Sequence, residues 1–176
     1  MSELVGSNKV FEGVEFDYSV DSHSKLRAAL RLFAFVALTL IYMPFLVVGR
    51  SLHLKCARKM PRSFHACASK IFGVKVRTHG KMVGGDYEEE PTLFVSNHSS
   101  YFDIPALGSI IEGSFVAKAD ISSWPFFGMM CRFQNTVFIE RRAVRAGKQV
   151  QILHDRLNAG DSLIVFPEGT STDGMG

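Results

Sequence analysis

The feature that most constrains the fold is an alternation, from Val74 onward, between short apolar runs and longer stretches with helical spacing. The apolar runs predict strands, and the stretches between them predict helices. The strands are expected at 74–76, 93–95, 115–117, 136–139 and 163–166, and the helices at 104–111, 124–133 and 145–158. Gly160 follows the last helix, as a C-terminal glycine often does. We therefore expect an α/β domain with a mostly parallel sheet and flanking helices.

The first candidate site residues follow the strand expected at 93–95. His98 lies in the polar turn Asn97-His98-Ser99-Ser100, and Asp103 stands five residues later, where a helix should begin. Residues five apart in a regular helix point about 140° away from each other. The two side chains can therefore meet only across a non-helical turn. The alternative is an exposed histidine and a helix-capping aspartate.

Two further strands also end in polar residues. Glu140 and Arg141 follow the strand at 136–139, and Pro167-Glu168-Gly169-Thr170 follows the strand at 163–166. In a parallel α/β sheet, the carboxyl ends of the strands line the ligand crevice. A guanidinium suits a phosphate there because it donates two parallel hydrogen bonds, although a solvated basic turn has the same sequence. The proline and glycine predict a tight loop that presents Glu168.

These three segments together resemble a known family. The stretches "NHSSYFD", "FIER" and "FPEGT" are similar in order and spacing to the first three motifs of the glycerolipid acyltransferases, in particular the 1-acylglycerol-3-phosphate acyltransferases. The resemblance covers about residues 70–173. "FVAKADISSWPFFG", which contains Lys118, resembles the segment between the first two motifs, and "FPEGTSTDG" also resembles the lyso-ornithine lipid branch.

The resemblance implies an activity and a role for each residue. A fatty acyl group would pass from acyl-CoA or acyl carrier protein to the free hydroxyl of a lysophospholipid. The first acceptor it implies is 1-acylglycerol-3-phosphate, giving phosphatidate, and the alternative is lyso-ornithine lipid. His98 would be the general base and Asp103 would orient it. The substrate would be bound by Arg141, Glu168, Gly169, Thr170 and Lys118. No cofactor and no metal is implied.

The chain departs from the family pattern in two places. The second motif usually has aspartate where this chain has Glu140, a change that keeps the charge. Family members also continue beyond the third motif, whereas this sequence stops at Gly176. We therefore expect residues 73–176 to form an acyltransferase domain that is incomplete at its C-terminus.

The N-terminal part contains an uncharged run of 18 residues, Leu32 to Gly49. As a helix it would be about 27 Å long, close to the thickness of a bilayer's hydrocarbon core. The run predicts a membrane segment, with a buried core helix as the alternative, and Pro44 suggests a kink or a re-entrant bend. Basic residues are more frequent after the run than before it, which predicts that its C-terminal side faces the cytoplasm. We therefore expect a membrane protein whose active site faces the cytoplasm, at the inner or plasma membrane if the source is bacterial.

The next stretch is basic. Nine Lys or Arg and no acidic residue occur between Arg50 and Lys81. Apolar residues from Cys56 to Ile71 recur every three or four positions, which predicts a basic amphipathic helix, kinked or restarted near Pro61. Directly behind a membrane segment, such a helix fits anionic lipid better than nucleic acid. Residues 1–24 are expected to be a polar leader and residues 25–72 membrane-associated helices, while the three scattered cysteines predict reduced, structural thiols.

Two other functions remain open from the sequence. One is a serine hydrolase that uses Ser99 or Ser100, although the chain lacks the G-x-S-x-G pattern of a nucleophile elbow. The other is a membrane adaptor without catalytic activity, whose α/β domain only binds lipid.

Overall fold

The computed structural model describes residues 14–18, 24–54, 56–78, 91–140 and 146–167. The strands and helices follow in chain order: β1 (Val14–Tyr18), α1 (Lys25–Ser51), α2 (Cys56–Phe72), β2 (Val74–Thr78), β3 (Leu93–Val95), α3 (Asp103–Ile110), β4 (Ser114–Lys118), α4 (Phe127–Phe133), β5 (Val137–Ile139), α5 (Ala146–Asn158) and β6 (Leu163–Val165). A 3₁₀ helix, Ala119–Ser123, lies between β4 and α4.

Within the described residues, the main sheet has four parallel strands in the order β3-β6-β4-β5. The last strand in sequence, β6, therefore lies between β3 and β4. Strands that are covered on both faces read as continuous apolar runs, and Leu163 and Ile164 of β6 are both 0% exposed. The expected α/β fold with a parallel sheet and flanking helices is confirmed.

Successive strand residues point to opposite sides of a sheet, so this sheet has two apolar faces. Helices cover both of them. On one face the core lies under α3, and on the other it lies under α5. The first cluster consists of Leu107, Ile111, Phe115, Ile164 and Phe166. The second consists of Val116, Val137, Ile139 and Leu163, against which Ile152, Leu153 and Leu157 of α5 pack.

A second, two-stranded sheet was not predicted. Strand β1 pairs antiparallel with β2, with Val14 opposite Thr78 and Tyr18 opposite Val74. The strand expected at 74–76 is thus present, but it joins β1 and not the main sheet. Part of the stretch that we expected to be a polar leader is therefore a strand.

The two N-terminal helices stack outward from the domain. Helix α2 packs on α3, where His65 lies so close to Gly108 that a Cβ on that glycine would fall 2.5 Å from the imidazole. Helix α1 packs on α2 in turn, and the rings of Phe35 and Tyr42 lie 6.0 and 5.7 Å from that of Phe64. Both helices continue through their prolines, so α2 does not restart at Pro61.

Most of α1 is exposed. Thr39 and Leu46 are buried against the neighbouring helix, whereas Leu40, Ile41 and Phe45 are at least half exposed. Only 17% of its most apolar 18-residue stretch is buried, which argues against a core helix. Among the described residues, α1 is the one helix that is long and apolar enough to cross a membrane.

The start of α4 differs from the prediction. A helix was expected from Trp124, but it begins at Phe127. Trp124 is extended, as residues before a proline usually are, and Pro125 follows it. Phe126 then adopts a positive φ of 62°, which ends any helical path from the preceding residues.

Candidate active site

The turn between β3 and α3 brings His98 and Asp103 together. Nδ1 of His98 lies 3.0 Å from Oδ2 of Asp103. The backbone amides of Ser99 and Ser100 donate to the same oxygen, each at 2.8 Å. The turn is non-helical, as the contact requires, and α3 begins at Asp103 itself. The carboxylate is therefore held by the backbone that precedes its own helix.

The hydrogen bonds define how the imidazole can act. Asp103 is 3% exposed, and its Oδ2 atom is the common partner of the two backbone amides and of Nδ1 of His98. A carboxylate only accepts hydrogen bonds, so the neutral ring of His98 carries its proton on Nδ1. Its Nε2 atom then holds the lone pair that can take up a proton. Such an arrangement holds the ring in one tautomer, and a neutral imidazole in this state can serve as a base.

Phe166 supports the histidine from the side. Its ring stacks on that of His98, with centroids 4.3 Å apart and planes 23° apart. Phe115 stacks on Phe166 in turn, at 6.2 Å and 16°. Both phenylalanines belong to the buried cluster beneath α3, so the imidazole rests on the core of the domain. Sequence reasoning missed this role, although Phe166 stands directly before the Pro-Glu-Gly loop.

The sheet order places the other strand ends along one edge. His98 follows β3, Pro167 follows β6, Lys118 ends β4 and Glu140 follows β5. Parallel strands end at the same edge, and neighbours lie about 4.8 Å apart. The end of β4 is thus about 10 Å from the end of β3, and the end of β5 about 14 Å from it. The edge is wide enough for an elongated ligand.

Most residues expected to bind the substrate lie outside the described part of the chain. These are Arg141, Glu168, Gly169 and Thr170. Their described neighbours, Glu140 and Pro167, are exposed at the ends of β5 and β6. Lys118 is described and half exposed, and its Nζ atom lies 2.6 Å from Oδ2 of Asp120. An anionic substrate would have to compete with that carboxylate for the ammonium group.

The serines of the turn have a clear structural part. The amide of Phe102 donates to Oγ of Ser100 at 3.2 Å, and the amides of both serines hold Asp103. The contribution of the two amides was not predicted, because backbone donors leave no mark on the side-chain pattern.

Other reactive groups lie away from this edge. One cavity of about 60 Å³ is lined by Arg50, His65, Ser114, Asp161 and Ser162 among others, and so lies at the amino ends of β4 and β6. Burial lowers the pKa of His65 to about 4, although a hydrogen bond with Gln134 acts in the opposite direction. Burial also raises the pKa of the Cys131 thiol. In the part of the chain that the structure describes, no three His, Cys, Asp or Glu side chains are grouped to hold a metal.

Comparison with known proteins gives the family. The family model described as Acyltransferase matches residues 75–176, more than half of the chain. The chain belongs to the acyltransferase family. The described part of this match contains the whole His98–Asp103 turn and the four parallel strands.

Several named proteins are similar to this acyltransferase chain. It is 40% identical over 152 residues to a lyso-ornithine lipid O-acyltransferase of Brucella abortus, covering 85% of this chain and 55% of that protein. A Rhizobium meliloti protein of the same name is 39% identical, with 85% and 50% covered. A 1-acyl-sn-glycerol-3-phosphate acyltransferase of Neisseria meningitidis is 35% identical over 100 residues, with 55% and 39% covered.

A solved structure is similar as well. The crystal structure of the 1-acyl-sn-glycerophosphate acyltransferase PlsC from Thermotoga maritima superposes with a TM-score of 0.58 at 25% identity, covering 85% of this chain and 64% of that one. The acyltransferase chain described here spans about half the length of the lyso-ornithine lipid relatives it matches.

Proposed function

We propose that this acyltransferase transfers a fatty acyl group from a thioester, acyl-CoA or acyl carrier protein, to the free hydroxyl of a lyso-lipid. The observation that carries the proposal is the contact of the half-buried His98 with the buried Asp103, with Nδ1 and Oδ2 3.0 Å apart. In this proposal, Nε2 of His98 is the base, and the carboxylate of Asp103 is the anion fixed beside Nδ1.

The reaction needs one base and no enzyme-bound acyl group. Nε2 of His98 takes the hydroxyl proton while the hydroxyl oxygen attacks the thioester carbonyl carbon. The C–S bond then breaks, and the leaving thiolate takes up the proton, which restores the neutral ring. Asp103 stabilises the imidazolium between these steps. General-base help of this kind is worth about 10²- to 10⁴-fold.

We propose lyso-ornithine lipid as the first acceptor to test. The support is that two relatives with this name match 85% of the chain at 39% and 40% identity. Lysophosphatidate came first in the sequence analysis, because the resemblance is to the 1-acylglycerol-3-phosphate acyltransferases and Arg141 at the end of a strand suits a phosphate. The similar protein of Neisseria meningitidis and the PlsC structure favour that second acceptor.

We also propose that α1 contacts the membrane along its exposed face. The helix is about 40 Å long, and its contacts with α2 extend from Phe35 to Gly49, about 21 Å. Because α1 is held against the domain over half its length, the exposed face along the helix contacts lipid, and not only its ends. The excess of basic residues after α1 supports a cytoplasmic position for the active site.

A transfer assay tests the proposal. Membranes containing the chain, or a chimera that continues into the carboxyl-terminal part of the Brucella abortus relative, receive radiolabelled acyl-CoA with either lyso-ornithine lipid or lysophosphatidate. We expect the labelled ester of lyso-ornithine lipid. Release of free fatty acid without an ester would instead support a hydrolase, and binding without turnover by both proteins would support an inactive adaptor.

A further inference from the structure

A short segment beside the site exposes large apolar side chains. The 3₁₀ helix and α4 fold against each other, and we call residues 119–133 the aromatic hairpin. Trp124 is 56% exposed, Phe127 50% and Met129 49%. Single exposed apolar residues are normal on a protein surface, but contiguous apolar patches mark contact sites. Three such residues lie within six positions here, and we call their exposed side chains the apolar patch.

The backbone of the hairpin makes several close contacts next to these side chains. Gly128 lies so close to Ser122 that a Cβ on the glycine would fall 2.4 Å from the serine carbonyl oxygen. Nη2 of Arg132 donates to the same oxygen at 2.8 Å, and the amide of Gly128 donates to the carbonyl of Trp124 at 2.9 Å. The hairpin is closely packed at Gly128, and the three apolar side chains are exposed to solvent.

The hairpin also lies beside the apolar helix α1. Helix α4 contacts α1, and Gln134, directly after α4, lines a small gap with Tyr42, Met43 and Leu46 of α1. The hairpin therefore adjoins an apolar helix of which Leu40 and Phe45 are about two thirds exposed. A surface that adjoins a membrane-facing helix fits the same partner, a lipid bilayer.

We propose that the aromatic hairpin inserts Trp124, Phe127 and Met129 into the boundary between lipid head groups and acyl chains. Tryptophan suits this depth because its ring is apolar while its N–H remains able to bond. The α/β domain then binds the membrane by its own surface, next to α1. This inference rests on the proposed contact of α1 with the membrane and goes beyond the proposed reaction.

The position of the hairpin places the proposed membrane contact near the candidate active site. The hairpin begins directly after Lys118, which ends β4 at the carboxyl edge of the sheet. A membrane held at the hairpin lies next to the edge that carries His98. An acceptor lipid can then reach the histidine while its acyl chain stays in the bilayer.

The chain supplies its own probe, because Trp124 is its single tryptophan. The whole chain is reconstituted in vesicles of phosphatidylethanolamine and phosphatidylglycerol, and its fluorescence is measured with two quenchers, brominated acyl-chain lipids and aqueous iodide. We expect the emission to shift to shorter wavelength in vesicles, to fall with brominated lipid and to resist iodide.

Two matched variants in a Trp124→Phe background complete the experiment. Leu40→Trp reports on α1. Val150→Trp reports on α5, which covers the face of the sheet opposite to α3, and Val150 is 66% exposed. Lipid quenching is expected at 40 and iodide quenching at 150. Iodide quenching of Trp124 as strong as at position 150 would overturn the inference, and so would protection from both quenchers, which means contact with protein. If lipid quenches the tryptophan at position 40 but not Trp124, the proposed contact of α1 is supported and that of the hairpin is wrong. If iodide quenches the tryptophan at position 40, the proposed contact of α1 is wrong as well.

Discussion

Replacing Asp103 by asparagine should separate catalysis from stability. An amide keeps the shape and an oxygen that can accept from the Ser99 and Ser100 amides at the 2.8 Å positions. It removes the negative charge next to His98. An imidazolium and a carboxylate whose charge centres lie about 4 Å apart attract by ~4 kcal/mol at an effective dielectric constant of ~20. The acyl-transfer rate at saturating substrate should therefore fall by up to about 10³-fold.

The stability cost of the same change is smaller. Hydrogen bonds to a charged acceptor contribute about 1.5–3 kcal/mol each and neutral ones about 0.5–1.5, so Asp103→Asn should lower the free energy of unfolding by roughly 2 kcal/mol. Asp103→Ala leaves both amides without this acceptor and should cost on the order of 3–6 kcal/mol, a large part of a typical total of ~5–15 kcal/mol.

The assay measures acyl transfer and thermal unfolding of the same preparations in detergent. Asp155→Asn is the matched control, because Asp155 is an exposed carboxylate on α5 that accepts from Gln151 at 2.7 Å. It should change neither quantity, as surface substitutions stay within ~0.5 kcal/mol. If Asp103→Asn retained a rate within tenfold of wild type, Asp103 would not stabilise the imidazolium, and the proposed mechanism would be wrong.

Three further predictions concern the base, the acceptor and the core. His98→Ala should abolish acyl transfer but leave membrane association unchanged in a vesicle flotation assay, and a residual rate above about a tenth would exclude His98 as the base. Arg141→Ala should lower catalytic efficiency on lysophosphatidate by roughly 10- to 150-fold, the worth of one charge-assisted bond, and by less on lyso-ornithine lipid; equal losses would show that Arg141 does not distinguish the two head groups. His65, whose pKa burial lowers to about 4 from 6.5, stays neutral in the fold, so the unfolded chain binds more protons between these values and stability falls as pH drops from 6.5 to 4. Between pH 6.5 and pH 4, His65 should lower the free energy of unfolding by about 3 kcal/mol. Unfolding curves measured at both pH values should therefore show that the stability of His65→Leu depends less on pH than that of the wild type.

The sequence predicted the elements of the main sheet well, because buried parallel strands are short apolar runs. The run expected to be a strand at 163–166 covers β6, whose Leu163 and Ile164 are 0% exposed, and Gly160 has the positive φ of 91° expected after a helix. The order of the strands could not be read from the sequence, since which strands become neighbours depends on how their crossovers pack. Apolar and acidic residues alternate from Val14 to Tyr18, but so short an alternation does not by itself predict a strand. Its pairing with β2 appears only in the structure.

The candidate site was predictable in part for the same reason. The contact of His98 with Asp103 follows from a local turn of five residues, which the polar sequence signals. The stack of His98 on Phe166 joins residues that are 68 positions apart and depends on β6 lying next to β3. Backbone donors such as the Ser99 amide, and distant ring contacts such as this one, appear only when the tertiary fold is known.

The position of β6 has a consequence for how the chain is made. During synthesis β3, β4 and β5 leave the ribosome first, yet β3 and β4 are not neighbours, because β6 lies between them. Until residues 163–165 emerge, each of these two strands has an open edge, and open edges invite pairing with other chains. The ring that supports His98 belongs to the same late segment. A nascent chain can form the local His98–Asp103 turn early, but it lacks the ring that supports His98 until this segment emerges. Variants that slow the docking of β6 should therefore aggregate more during synthesis, even when the finished protein is stable.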